Sequence, residues 1–445
     1  MRHLIANSNL SQQTNKYYRK HLLTLFTILL VLAGFLQCVY AIMQLFGIKA
    51  SGHPEFAFTG SFYNPGPFGC YLAVIFPCAL RDANSSDNQF QKLMGWVMAL
   101  LCAIFIPATL SRTAMIACCL GAIIVMSDKW DKSKWKMILI IAVSCVAIVM
   151  GIYMIKKNSA DGRFLMWKVA AQAVMEVPPT GVGWTNVAGT YGEAQEKYFA
   201  SGNGSEQEIL VADAPEYVFN EYFQIAIAYG PTVAIMTVAL ITGGFIIAVQ
   251  NKNYGFAGSI AAVATVMFAS YPLQFPLFAV TIALILIGGW LSSPYGIISF
   301  TATAIIVVVT CLFLTHSETR DVRNDFAVAH SLHRGRNYRK SNALLIDMIP
   351  LSADPMILNI IGKNYQSLGM GDSAEYFLRK SVNRCPNRLY PHYLLMQLYG
   401  DTSYLNPAAR QREARILLDM KEKIPSPAVE EMREEAKVIL NESKQ

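Results

Sequence analysis

Apolar runs of about 16–25 residues, the length that crosses a bilayer, recur from His21 to Thr315. They predict membrane-spanning helices over 22–47, 66–81, 93–110, 112–127, 136–155, 220–249, 256–272, 274–292 and 296–315. The run from Leu93 to Met126 is too long for a single crossing, since at about 1.5 Å per residue it would extend roughly 50 Å. A helical hairpin turning at Ser111–Arg112 fits it better. After Glu318 the long apolar runs stop, and charges, Asn and helical periodicity take over for roughly 130 residues. The pattern divides the chain into an N-terminal stretch 1–21, a membrane domain 22–315 and a polar helical domain 318–445. The expected class is all-α throughout.

Composition agrees. The chain of 445 residues is 53% hydrophobic and 15% charged, too apolar for one soluble globule of this length. The first apolar segment is too long for a signal peptide and has no small-residue cleavage site behind it, so it reads as a retained helix. Eight of the nine cysteines lie in apolar segments and only Cys385 is in the tail, so no disulfide framework holds the tail. The net charge of +7 is spread out and does not suggest nucleic acid. Its distribution orients the spans. Lys16, Arg19, Lys20 and His21 precede the first span, Lys129, Lys132, Lys134 and Lys136 follow the fourth, and Lys252 follows the sixth. With about nine spans all of these share one face, the cytoplasm. The opposite face then receives the loop 48–65, the turn at Arg112, the long loop 156–219 and the whole tail.

Within the long loop, GRFLMWKVAAQAVMEV puts Phe164, Trp167, Ala171 and Val174 at helical spacing. That predicts an amphipathic helix lying at the membrane surface. Pro178–Pro179 ends it and GVGW turns the chain. In the tail, residues 354–388 follow another rhythm. Against a repeat of about 34 residues, Gly362, Tyr365, Ala374, Leu378, Ser381 and Pro386 fall at the small, apolar and turn positions of a tetratricopeptide repeat. The flanking stretches 321–352 and 389–424 read as degenerate copies. The plainer alternative is an ordinary helical hairpin bundle. Repeats of this kind bind a protein partner or dock on a neighbouring domain, and nothing in the tail looks catalytic.

Four stretches carry candidate chemistry. Arg112 interrupts the apolar run 93–126, where an ionised side chain is costly unless it is paired, snorkels or faces water. It reads either as a helix-end arginine reaching for lipid phosphate or as an anion site, with Ser111 as a further donor. Arg163 stands at the expected start of the amphipathic helix, where free backbone N–H groups also favour an anion; alone it would be an ordinary surface arginine. FTGSFYNPGPFGCYLA leads from the loop 48–65 into the second span, and Asn64–Pro65 biases the chain away from helix. It is either an entry turn or a backbone-lined wall of a site. APEYVFNEYFQIAIAYG enters the sixth span, with Glu216, Tyr217, Asn220 and Glu221 facing the outer aqueous side, or with Asn220 and Glu221 simply capping the helix. No CxxC, HExxH or P-loop occurs, and the seven histidines are scattered, so no metal ligand set and no nucleotide are expected. A transporter stands as an alternative, against which count the few charges within the spans and the lack of an internal repeat of spans.

The order of these motifs resembles the O-antigen ligase superfamily, which also includes O-antigen polymerases and bacterial protein O-oligosaccharyltransferases. The matching residues are T-G-S-F-x-N-P-x-x-F, S-R-T-A, G-R-x-x-x-W, P-x-x-G-V-G-W and N-E-Y-x-Q-I-x-x-x-x-G, over about residues 40–292. The resemblance implies a multi-pass, GT-C-like glycosyltransferase of the bacterial inner membrane, needing no cofactor. It implies transfer of a glycan from an undecaprenyl diphosphate carrier to a hydroxyl of a lipid A core sugar, a growing glycan or a protein, on the periplasmic side. Arg112 and Arg163 match the family's diphosphate-binding arginines, with Ser111, Asn64 and Asn220 as further substrate contacts. The chain departs from the family at Phe219, where many members have a histidine proposed to activate the acceptor. Phenylalanine takes no proton, which leaves Glu216, Glu221, Tyr217 or His53 for that task, or a mechanism of position and charge alone. The chain also starts late against the family's larger number of spans. A non-catalytic membrane scaffold and a lipid-linked glycan transporter are the alternatives that these departures keep open.

Overall fold

A computed structural model describes residues 2–127, 157–296, 298, 300, 301, 304, 305, 322–421 and 426–442. Among the described residues every regular element is a helix, as the sequence pattern requires. In chain order the first eleven are α1 (Arg2–Leu45), α2 (Pro65–Ser85), α3 (Gln89–Ala108), α4 (Arg112–Met126), α5 (Lys157–Glu176), α6 (Val187–Ala200), α7 (Glu206–Val211), α8 (Glu221–Tyr229), α9 (Pro231–Gln250), α10 (Tyr254–Ala269) and α11 (Pro276–Trp290). The tail adds α12 (Val322–Arg334), α13 (Tyr338–Met348), α14 (Pro355–Ser367), α15 (Gly371–Arg384), α16 (Leu389–Leu398), α17 (Pro407–Asp419) and α18 (Pro427–Glu442). The described residues form two compact units. The first draws on Met1–Lys157, Phe219–Tyr222 and Thr232–Phe313; the second draws on Asn158–Val218, Phe223–Pro231 and Leu314–Gln445.

The first unit is the apolar bundle. Tyr17–Leu45 within α1, together with α3 and α9, are long and apolar enough to cross a membrane, and α4, α10 and α11 are shorter apolar helices. The hairpin inside 93–126 is present: α3 ends at Ala108, Leu110 takes the left-handed conformation at φ 53, and α4 begins at Arg112. In a bilayer, apolar burial alone does not hold helices together, so small residues that permit close approach matter more. Gly121 of α4 and Gly258 of α10 provide them. A Cβ on Gly121 would come within 2.4 Å of Pro77 of α2, and one on Gly258 within 2.8 Å of the Gly121 carbonyl. The expected span 136–155 and most of 296–315 lie outside the described residues.

One expected span is broken. Residues 220–249 form two helices rather than one, because Gly230–Pro231 interrupts them. Gly230 sits at φ +87, which the residue before a proline reaches at low cost only as glycine. The first half, from Phe223 to Tyr229, belongs to the second unit and buries Ile227 and Ala228 in its core.

That core is built by α5, α6 and α8 around Leu165, Val169, Ala173, Val187, Tyr191 and Ala194. The amphipathic helix is α5, and of its predicted apolar stripe only Val174 packs against this core. Phe164 is exposed, Trp167 and Ala171 are half-buried, and the Phe164 and Trp167 rings meet edge-on at 5.6 Å. The tail helices α12–α18 pack each on the next, and Gly362 lets α14 approach α15 so closely that a Cβ would meet Leu378 at 2.7 Å. The same unit joins the tail to α6 and α7. Gly189 of α6 lies so close to the tail that a Cβ would meet the Pro350 carbonyl oxygen at 2.1 Å. Arg384 is fully buried and pairs with Glu196 at 3.3 Å, Gln195 donates to the Arg384 and Asp213 carbonyls, and Asn387 donates to the Leu210 and Ala212 carbonyls.

A capping box starts α7: the Ser205 hydroxyl accepts from the Glu208 N–H at 3.2 Å and Glu208 Oε2 accepts from the Ser205 N–H at 2.9 Å. Partial burial works against the Glu208 carboxylate. Lys168 at 2.9 Å, the Ser205 N–H and the Tyr198 hydroxyl outweigh that and lower its pKa to about 2. The folded value lies below the unfolded one, so this stabilisation is present above the ordinary value of 4.5 and is lost as pH falls towards about 2. Glu208→Gln is therefore expected to lower the thermal unfolding midpoint at about pH 7 and to lower it less at about pH 3. Equal shifts at the two pH values would show that the carboxylate's charge is not what matters.

Candidate functional site

In the first unit, one end of the bundle gathers helix starts. Asn64 precedes α2 and its side chain accepts from the Gly66 N–H at 2.9 Å. Ser111 precedes α4, its Oγ accepting from the Ala114 N–H at 3.3 Å and lying 3.9 Å from Cys70 Sγ of α2. Arg112 follows as the first residue of α4 and is half-buried. The next residue, Thr113, donates to the Ala269 carbonyl at 3.3 Å, which ties the start of α4 to the end of α10. Four residues beyond Ala269, the Leu273 N–H donates to Glu221 Oε1 at 2.8 Å. The bundle thus brings Asn64, Ser111, Arg112, Asn220 and Glu221 to a common end.

Asn220 and Glu221 are both buried, at 2% and 1% exposure, rather than open to outer water. Asn220 caps α8, its Oδ1 accepting from the Tyr222 N–H at 3.0 Å, and the Tyr222 hydroxyl donates to the Ala264 carbonyl. Glu221 uses one oxygen on Leu273, and Oε2 makes no hydrogen bond among the described residues. Phe219 holds φ 53, a costly conformation for a bulky residue, with its ring 4.7 Å from that of Tyr271. Backbone strain of this kind concentrates at functional positions.

The loop 50–63 that walls this end is pinned from α1. Gln37 accepts from the Ser61 N–H at 2.9 Å; Gln44 accepts from the Thr59 N–H at 2.8 Å and donates to the Gly60 carbonyl at 3.2 Å. Gly60, at φ +57, has Phe68 and Gln37 against its α-carbon face. Phe62 then packs on Tyr71, Phe275 and Phe278. The two glutamines were not singled out in the sequence, although two amides one heptad apart in an apolar helix are a signal for buried polar work.

The other candidate residues lie in the second unit. Arg163 is half-buried in α5, but not at its start: the helix already runs from Lys157, so the backbone N–H groups around Arg163 are inside the helix rather than free for an anion. Nothing in 157–162 stops a helix, since Gly162 alone only weakens one. Tyr217 is half-buried. Glu216 is exposed and lines a cleft of about 570 Å³ with Arg323, Phe326 and Asp354 of the tail. P-x-x-G-V-G-W forms a backbone clamp. The Val182 and Gly183 N–H groups donate to the Ile227 and Ala228 carbonyls at 3.0 and 2.9 Å, satisfying the last turn of α8, and Trp184 stacks on Tyr229 at 6.0 Å.

The profile described as O-antigen ligase matches residues 97–238, the stretch that carries S-R-T-A, the clamp and N-E-Y-x-Q. Residues 97–238 belong to the O-antigen ligase family. Neither a curated protein nor a solved structure matches the chain. The ligase region holds Ser111, Arg112, Arg163, Glu216, Tyr217, Asn220 and Glu221, whereas Asn64 precedes it. With the apolar helices, this match supports an integral membrane protein and, in general terms, a glycan-transferring ligase.

Proposed function

We propose that the protein transfers a glycan from an undecaprenyl diphosphate carrier to an acceptor hydroxyl at the periplasmic face of the inner membrane. The observation that carries this is Arg112. A cation at the N-terminus of a helix opposes the helix dipole, so the charge of Arg112 does not favour α4. The guanidinium and the dipole together favour an anion there, as a departing lipid diphosphate requires when its charge develops. Ser111, Asn64 and Asn220 are the polar contacts we assign to Arg112, and the resemblance gives Arg163, in the second unit, a diphosphate-binding role as well. With Phe219 in the position of the family's histidine, Glu221 is our first choice to take the acceptor's proton, since its Oε2 is uncommitted among the described residues; Glu216 and Tyr217 are the others. The acceptor is a lipid A core sugar, a glycan or a protein. The tail, read as tetratricopeptide-like, would receive a protein partner. Arg19, Lys20, Arg81 and Lys252 line a common cavity in the first unit, which supports a cytoplasmic N-terminus.

Phe219 favours one other reading, a scaffold without catalysis. A knockout strain complemented with wild type, Arg112→Ala or Arg163→Ala separates the two. Transfer is expected to fall by about 10²–10³-fold in each variant at unchanged membrane levels, with lipid-linked glycan accumulating. Full complementation by both variants would remove the diphosphate site and leave the scaffold.

A further inference from the structure

We infer that the first unit carries a binding site for an anionic phospholipid, at the end of the bundle away from Arg112. Residues 17–27 of α1, the end of α2, the start of α3 and the α9–α10 turn line a cavity of about 810 Å³ rich in polar side chains. Four cations line it, Arg19 and Lys20 of α1, Arg81 of α2 and Lys252 of the turn, against two carboxylates, Asp82 and Asp87. The cavity therefore carries a formal excess of positive charge, although the helices that form it belong to an apolar bundle.

A second cavity, about 240 Å³ and almost wholly apolar, adjoins it. Asp82 and Gln91 line both. From there the groove runs between α1 and α3 along Ile28, Leu32, Phe35 and Met94. A polar, cationic chamber continuous with an apolar groove matches a lipid: phosphate among the cations, headgroup hydroxyls on Asn88, Gln91 and Asp82, one acyl chain along α1. Soluble phosphate would have no use for the groove, and a zwitterionic headgroup would bring a second cation into a cationic chamber. Anionic lipid is the occupant that uses both parts. The site involves none of the residues assigned to glycan transfer.

The test is native mass spectrometry of the full-length protein in detergent, titrated with dioleoyl phosphatidylglycerol, dioleoyl phosphatidylcholine or glycerol phosphate. Wild type is expected to retain phosphatidylglycerol in preference to phosphatidylcholine, and glycerol phosphate should not displace it. Arg19→Gln/Lys20→Gln/Lys252→Asn should weaken retention on the order of a hundredfold, at about fivefold per cation. Asn at position 252 keeps the left-handed turn, where Lys252 has φ 57. Leu32→Trp, at a half-exposed groove position, should weaken retention of the lipid by obstructing its acyl chain. If the triple variant does not purify, Lys252→Asn alone should still give about the single-cation loss. Equal retention of the two lipids, wild-type retention by the charge variants, or displacement by glycerol phosphate would each overturn the proposal.

Discussion

Replacing Gly230 with alanine is expected to be among the most damaging single changes in the protein. Two costs add. Gly230 holds φ +87, where any Cβ is strained, at about 1–3 kcal/mol. That Cβ would also lie 1.9 Å from the Pro179 carbonyl oxygen and 2.8 Å from its carbon. These are backbone atoms, so no side chain can rotate away, and overpacking adds about 1–3 kcal/mol more. The loop they belong to is the clamp that holds the end of α8, where Gly181 is equally confined: its Cβ would meet the Ala228 carbonyl at 2.4 Å. Gly202→Ala is the matched control, with φ +74 and nothing within 4 Å of the added atom, and should show the conformational cost alone. Thermal unfolding of the two purified variants compares them. Equal losses would mean that the contact between Pro179 and Gly230 is slack.

Arg384→Ala should have an effect of similar size. The side chain is fully buried, with Glu196 at 3.3 Å and the Ser352 carbonyl as its partners. Burial lowers the Arg384 pKa despite the nearby Glu196, and burial raises that of Glu196 despite Lys380 and Arg384. Both directions say that desolvation outweighs the attraction, so the pair is not a net source of stability. Removing one member is nevertheless severe, because among the described residues Glu196 then keeps only Lys380, at 3.4 Å, and a cavity opens. A loss of about 3–5 kcal/mol is expected. Arg384→Met with Glu196→Leu should recover most of it, since apolar groups of similar volume need no charge compensation. The unfolding midpoints of the single and double variants decide this. A harmless Arg384→Ala, or a double variant as poor as the single, would contradict the account.

The two changes act where the sequence was hardest to read. Helices between residues 22 and 127 follow from apolar run length, though not the polar first turns of α1, and the hairpin at Ser111 follows because one crossing could not absorb the whole run. Asn220 was legible as a cap because Asn before an apolar run competes for free N–H groups, whereas Asn64, read as an entry turn, and Ser111, read as an anion donor, cap their helices as well. The break in 220–249 was not seen, although Gly-Pro is printed in the sequence, because hydropathy continues across it. Nothing in the local sequence marks Arg384 for burial. Its burial depends on Glu196, Gln195 and Asp213, far away in the chain, and no local pattern carries such a pairing. Within the candidate site, residue types were visible while their company was not: Glu221 is tied to Leu273, and Thr113 to Ala269, by contacts that only the folded bundle creates.

The seam between α6–α7 and the tail also governs how this protein can be cut. A deletion beginning near Glu318 would leave Tyr191, Gln195 and Glu196 as the raw face of a split core, and the truncated chain would be a substrate for quality-control proteases whatever the tail does. Exchange between relatives follows the same rule. A tail transplanted with its own Val187–Asp213 brings both faces of the seam and keeps Arg384 covered, so that block, rather than the stretch after the last apolar run, is the unit in which this part of the chain is best engineered.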